Sequence, residues 1–202
     1  FSCGIPVRRA LMIGGGGCAW PKHAAATRRD VRIDVLEEDP RIIDIARRFF
    51  FTGELERAGA VLHVGEHYLD DMQADIVFRT PGMHPDIPAL RRLREKGAEL
   101  TSEMEAFFEV CPCRIIAVTG SDGKTTTTTL IAKILEHAGH RVWVGGNIGA
   151  PLLPQAADMT PADIAVVELS SFQLMTMERS ADIAVVTNVA PNHLDVHKDM
   201  AE

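Results

Sequence analysis

The 202-residue sequence has no long apolar run: stretches such as 164–167 stop after a few residues, far short of the ~20 that cross a bilayer as a helix. A helical membrane span is therefore excluded, and no membrane partner is expected. Basic charge is scarce too, with 21 Lys and Arg against 28 Asp and Glu. The net charge of −7 argues against general binding to nucleic acid, which is gripped by clustered cations, but leaves room for a single phosphate ligand. Cysteine is rare: Cys3, Cys18, Cys111 and Cys113 are too few and too irregularly spaced for a disulfide framework, and a reducing cytoplasm fits them best. Cys111-Pro112-Cys113 supplies half a metal site, but no second Cys or His pair stands at zinc spacing, so both read as incidental thiols. No charged leader with an apolar core opens the chain, and Phe1 at one end and Met200-Ala201-Glu202 at the other read as cuts, not natural termini.

What is present is a globular composition, 46% hydrophobic and 24% charged, enough for one or two buried cores. Charge is unevenly divided. Residues 1–57 carry 10 Lys and Arg against 8 Asp and Glu, whereas residues 58–202 carry 11 against 20, which hints at two units or two origins. Short apolar runs at 10–13, 33–36, 61–64, 76–78, 115–118, 142–144, 164–167 and 183–186 alternate with amphipathic stretches at 41–51, 89–96, 102–110 and 126–137. Continuous apolar strands imply burial on both faces, hence parallel sheets flanked by helices. The expected fold class is α/β, with two Rossmann-like units of mainly parallel sheet, residues 1–111 and 112–202, meeting near Pro112.

After the run 115–118 comes Thr119-Gly120-Ser121-Asp122-Gly123-Lys124-Thr125-Thr126-Thr127, and then a helical pattern. Glycines let backbone N–H groups turn inward around phosphate oxygens, and the helix N-terminus adds partial positive charge at the same place. Lys124 would bring a mobile full charge to the phosphates of ATP, and the Thr125 hydroxyl could hold Mg²⁺. The spacing departs from the general GxxxxGK[ST] pattern, because Val118 stands where the first glycine would be. Three more clusters follow later strands, where α/β sheets place their ligand sites. Gly145-Gly146-Asn147-Ile148-Gly149 reads by itself as an ordinary turn. Glu168, at the head of Glu168-Leu169-Ser170-Ser171-Phe172-Gln173, is a surface acid when alone and a Mg²⁺ ligand when a phosphate loop lies upstream. His193, within Asn188-Val189-Ala190-Pro191-Asn192-His193-Leu194-Asp195, is evenly balanced between a ligand and a solvated loop histidine.

Taken together, VTGSDGKTTTTT, GGNIGAPLL, VVELSSFQL and TNVAPNHLD make the segment from about 58 to 202 resemble the Mur ligases, the ATP-dependent amide ligases of peptidoglycan synthesis. GGNIG and ELSSFQL point to the D-glutamate-adding branch, and residues 78–83 and 101–105 resemble the end of that family's UDP-binding domain and its link to the ATP-binding central domain. The resemblance implies a cytoplasmic enzyme, expected to be a monomer, with ATP and Mg²⁺ as cofactors and UDP-N-acetylmuramoyl-L-alanine and D-glutamate as substrates. ATP would phosphorylate the alanyl carboxylate, and the D-glutamate amine would attack the acyl phosphate. Lys124 and two Mg²⁺ ions would offset the meeting of two anions. Gly120 to Thr127 would bind ATP; Thr125 and Glu168 would hold one ion and His193 the second; Asn147, Ser170 and Gln173 would position the muramoyl substrate; and Lys124 and His193 would be catalytic. Asn192 stands where an acidic residue is common in the family.

Residues 1–51 resemble a different family. Leu11-Met12-Ile13-Gly14-Gly15-Gly16-Gly17, Val35-Leu36-Glu37-Glu38-Asp39-Pro40 and the pattern at 43–50 look like the start of a spermidine-synthase-like or S-adenosylmethionine-dependent methyltransferase domain. Glu37 would there accept ribose hydroxyls, although a structural βαβ turn accounts equally well for a glycine run followed by an acid. A chimera is expected, with the change near residues 52–57. A methyltransferase or aminopropyltransferase, or a non-catalytic nucleotide-binding module, are the rival readings. The ligase family also carries a carbamylated lysine beyond the HLD segment, which is not Lys198, and a C-terminal domain for the incoming amino acid. Both are absent from the 202 residues, so turnover by this chain is not expected.

Overall fold

The computed structural model describes residues 6–14, 24, 28, 30–49, 56–57, 59–65 and 67–193. The chain divides into two compact units, Phe1–Glu103 and Met104–Glu202. Among the described residues no helix is long and apolar enough to cross a membrane.

The first unit is a five-stranded parallel sheet. Its strands are β1 (Arg9–Ile13), β2 (Arg32–Glu37), β3 (Val61–Val64), β4 (Ile76–Phe78) and β5 (Glu99–Thr101), in the order β3-β2-β1-β4-β5. Helix α1 (Pro40–Phe49) follows β2, and α2 (Pro88–Glu95) precedes β5. Leu11, Leu36, Val77 and Leu90 are almost wholly buried in one cluster. Leu90 and Leu93, three apart and so on one face of α2, are its two buried residues. The segments that resemble two different families share this one sheet: β1 pairs with β4 in the register Ala10↔Ile76, Leu11↔Val77 and Met12↔Phe78. Asp34 on β2 is completely buried and accepts hydrogen bonds from Arg9 Nε (2.8 Å) and Arg32 Nε (3.1 Å), and is also bonded to His63 Nε2 (2.8 Å).

Helix α3 (Glu103–Val110) starts at the last residue of the first unit and otherwise belongs to the second. The strands of the second unit are β6 (Arg114–Thr119), β7 (Val142–Gly146), β8 (Ile164–Glu168) and β9 (Ile183–Val186), again all parallel, in the order β7-β8-β6-β9. Helix α4 (Lys124–His137) follows β6, a 3₁₀ turn spans Leu153–Asp158, and the single turn α5 (Ser171–Leu174) follows β8. Ala165, Val166 and Val167 are fully buried, the two-sided burial that a continuous apolar run in a parallel sheet implies.

Several sequence expectations shift. The compact units divide between Glu103 and Met104, eight residues before the expected meeting point at Pro112, because Met104, Phe107 and Phe108 of α3 pack with Ile115, Ala165 and Val167. β5 has no apolar run to announce it and is defined by pairing with β4 (Ile76↔Glu99, Phe78↔Thr101). Helix α4 begins at Lys124, two residues before the expected start, since Gly123 is already its N-cap with φ +76°.

Candidate nucleotide-phosphate site

The carboxyl ends of the second sheet converge: Val118 is level with Glu168, Thr119 with Val186, and Gly146 with Glu168. Beyond Thr119 the chain turns at Gly120, whose φ is +133°. A side chain there is impossible without movement, because a Cβ would run into Thr187 Oγ1 and stand 2.8 Å from the Asn188 carbonyl oxygen. That close approach lets the segment after β9 grip the loop. Thr187 Oγ1 donates to the carbonyls of Thr119 (3.2 Å) and Asp122 (2.6 Å). Asn188 accepts from the Ser121 N–H at its carbonyl (3.1 Å) and from the Asp122 N–H at Oδ1 (2.9 Å). Ser121 Oγ donates to the Ala190 carbonyl and accepts from the Ala190 N–H, each at 2.8 Å.

Lys124, the first residue of α4, arches over its own loop and donates from Nζ to the carbonyls of Gly120 (2.7 Å) and Ser121 (2.9 Å). The first N–H groups of α4 have no partner within the helix, so helix start and ammonium place positive charge at one point. Next to it, Glu168 is buried at the end of β8. Its Oε2 accepts from Thr125 Oγ1 at 2.8 Å and its Oε1 from Asn147 Nδ2 at 3.1 Å, while the Asn147 N–H donates to the Glu168 carbonyl at 2.8 Å. Gly146 permits this docking, since a Cβ there would overlap the Glu168 carbonyl oxygen.

A cleft of about 700 Å³ opens over these elements, lined among others by Gly120, Ser121, Lys124, Asn147, Ser170 and His193. His193 is exposed, has φ +52°, and lies against the Phe172 ring with centroids 5.0 Å apart. Asp122, Gly123 and Thr125 to Thr127 form the rest of the loop and the first turn of α4 but do not line the cleft. Ser170 and Gln173 engage each other. The Ser170 N–H and Oγ–H both donate to Gln173 Oε1 (2.9 and 3.1 Å), Ser170 Oγ accepts from the Gln173 N–H, and Gln173 is buried away from the cleft lining. The pair is a capping box for α5, and its S-x-x-Q spacing is legible in sequence. The sequence does not reveal Thr187, Asn188 and Ala190 as loop partners, because nothing local signals that β9 lies beside β6.

In the first unit, Gly14 follows β1 and Glu37 ends the adjacent β2, where Glu37 Oε1 accepts from the Asp39 N–H at 3.2 Å. Gly15 to Gly17, Leu194, Asp195 and Lys198 lie outside the described residues.

The donor chemistry suits Mg²⁺. Thr125 and Glu168 bring together a hydroxyl and a carboxylate oxygen, the hard oxygen donors that Mg²⁺ takes. No cluster of three or more His, Cys, Asp or Glu occurs among the described residues.

Residues 118–202 match the family described as the Mur ligase middle domain. In this segment the chain is similar to the Mur ligases. The UDP-N-acetylmuramoylalanine--D-glutamate ligase of Clostridium kluyveri is 56% identical over 150 residues, 74% of this chain and 33% of that protein. The enzyme of the same name from Acetivibrio thermocellus is 60% identical over 140 residues, 69% of this chain and 30% of that protein. The chain thus spans about a third of the length of the curated relatives it matches. Among solved structures, the UDP-N-acetylmuramate-alanine ligase of Thermotoga maritima has a TM-score of 0.51 at 22% identity, over 94% of this chain and 43% of that one. The UDP-N-acetylmuramate:L-alanyl-gamma-D-glutamyl-meso-diaminopimelate ligase of Neisseria meningitides has a TM-score of 0.50 at 19% identity, over 97% and 65%. These two likenesses concern the fold alone, an α/β arrangement with mainly parallel sheets.

Proposed function

We propose that the second unit is the ATP-phosphate site of a cytoplasmic ligase that joins D-glutamate to UDP-N-acetylmuramoyl-L-alanine in peptidoglycan synthesis. The observation that carries the reading is the Thr125–Glu168 contact at 2.8 Å, beside a glycine loop whose lysine opens the following helix. The names of the relatives supply the two substrates; the site supplies the reason ATP fits. Lys124 would exchange its two loop carbonyls for phosphate oxygens, a swap within reach because Nζ already lies over the loop. Thr125 and Glu168 would hold Mg²⁺, which when bound neutralises charge developing on the transferred phosphoryl group. Asn147, held by Glu168, and His193, at the cleft wall, would face the acceptor carboxylate and keep it in line with the γ-phosphate.

Calorimetric titration with Mg·ATP tests the reading. Binding is expected, and Lys124→Ala should weaken it by about 2–5 kcal/mol, the cost of leaving phosphate charge without its partner. Unchanged affinity in that variant would remove the phosphate-loop assignment.

A further inference from the structure

Cys111 and Cys113 lie away from the phosphate site and have no part in it. The Cys111 N–H donates to the Phe107 carbonyl at 2.9 Å, closing the last turn of α3, while Cys113 immediately precedes β6 and is buried against Ile115 and Val167. β6 separates Cys113 from the loop at Gly120 by about 20 Å of extended chain. Pro112 stops the helix between them, because it has no N–H and its φ is fixed near −65°. The result is a pair of free thiols with Sγ atoms 3.4 Å apart, one half-buried and one buried.

We propose that Cys111-Pro112-Cys113 is a closable dithiol, a modification site that takes two-electron thiol oxidants of the peroxide class and becomes an intramolecular disulfide. The sulfurs are already in contact, so side-chain rotation of about 1.4 Å brings them to bonding distance. Cys111 is the entry point because it is the more accessible of the two. Its thiolate attacks a peroxide oxygen, the O–O bond breaks, and the departing oxygen takes a proton and leaves as water, so that Cys111 becomes a sulfenic acid. The Cys113 sulfur then attacks the Cys111 sulfur; the S–S bond forms, the S–O bond breaks, and a second water leaves with the Cys113 proton. Two thiols lose two electrons in all, and one hydrogen peroxide becomes two waters. Burial, and then the hydrogen bond shared with Cys111, pushes the Cys113 thiol up to about 12. A thiol held protonated is a poor first nucleophile, so Cys113 enters only at the second step, where its sulfur already lies 3.4 Å from that of Cys111.

The test uses the full chain carrying Cys3→Ser and Cys18→Ser, folded by circular dichroism, with hydrogen peroxide as the probe. Trypsin releases residues 97–114 as one peptide holding both cysteines. The expected result is loss of two hydrogens from that peptide, with N-ethylmaleimide blocked until dithiothreitol is added. Adding Cys113→Ser should leave a Cys111 sulfenic acid that dimedone traps in greater amount than in the parent. Cys111 driven to sulfinic acid while Cys113 still reacts with maleimide, covalent dimers through Cys111, two thiols untouched by peroxide, or no gain in dimedone trapping would each overturn the proposal.

Discussion

Glu168→Gln separates the electrostatic role proposed for Glu168 from its structural one, because the surrounding hydrogen bonds can accept the amide almost without loss. Glu168 is 1% exposed, and its two oxygens accept one bond each, from Thr125 Oγ1 and Asn147 Nδ2. In the variant, the glutamine oxygen can still accept from Asn147, while its NH₂ donates to the Thr125 oxygen, which has lone pairs to spare. Folding stability should therefore change by no more than about 1 kcal/mol, a few degrees in Tm for a protein of this size. Mg·ATP sees a different change. On the proposed reading a full negative charge that would face the cation is gone, a loss of about 2–5 kcal/mol when a buried charge pair is broken, or roughly thirtyfold to several thousandfold in Kd. Titration with ATP in Mg²⁺ and again in EDTA reads both effects, since only the first affinity should fall. An equal fall in the two titrations, or none in either, refutes the metal role and leaves Glu168 as the anchor of Asn147.

Three further perturbations probe the scaffold. Gly146→Ala should destabilise the chain by about 2 kcal/mol or more, from a left-handed φ of +100° and from overlap with the Glu168 carbonyl, and thermal melting measures it. Asn188→Ala removes the Oδ1 acceptor of the Asp122 N–H and should weaken Mg·ATP binding by about 1 kcal/mol with little change in Tm; an unaltered titration would dissociate loop pinning from phosphate affinity. Burial raises the Asp34 carboxyl, but hydrogen bonds from Arg32, Arg9 and His63 outweigh it and leave the pKa below the ordinary value. Its contribution to stability is therefore present above the usual carboxylate pKa near 3.9 and is lost as pH falls through the lower folded value. Asp34→Asn should be less stable at neutral pH and lose stability less steeply on acidification, and an acid titration followed by circular dichroism that matches the parent would exclude this account.

Most of the fold is legible in the sequence because parallel strands buried on both faces leave unbroken apolar runs, and β8 is the clearest case, with Ala165, Val166 and Val167 at 0% exposure. The illegible elements lack that signal for physical reasons. β5 is three residues, Glu-Leu-Thr, and exists because its ladder to β4 is satisfied, a fact held in residues more than twenty positions away. The unit boundary also depends on partners that are distant in sequence. Read locally, α3 could belong to either side of Pro112. Phe107, fully buried among residues of β6 and β8, assigns it to the second unit.

The site divides along the same line between local and non-local causes. Gly120, Gly123, Lys124 and Thr125 are legible because a strand, a glycine loop and a helix start are consecutive in sequence, and Glu168 is legible as an acid at a strand end. What holds the loop in shape is not consecutive with it. The order β7-β8-β6-β9 brings β9 beside β6, and the register Thr119↔Val186 then sets Thr187 and Asn188 against residues 65 to 68 positions earlier. The loop amides of Ser121 and Asp122 donate to Asn188, so these two are committed to the scaffold, and on the proposed reading phosphate recognition would fall to Lys124 and the amides that begin α4. β9 is itself an exposed strand, with Ile183 at 46% and Val186 at 58% exposure, held through its ladder to β6. Anything that loosens that ladder releases the acceptors on Asn188 and the donor on Thr187 together, so nucleotide affinity should depend on β9 as strongly as on the loop whose glycines and lysine announce the site.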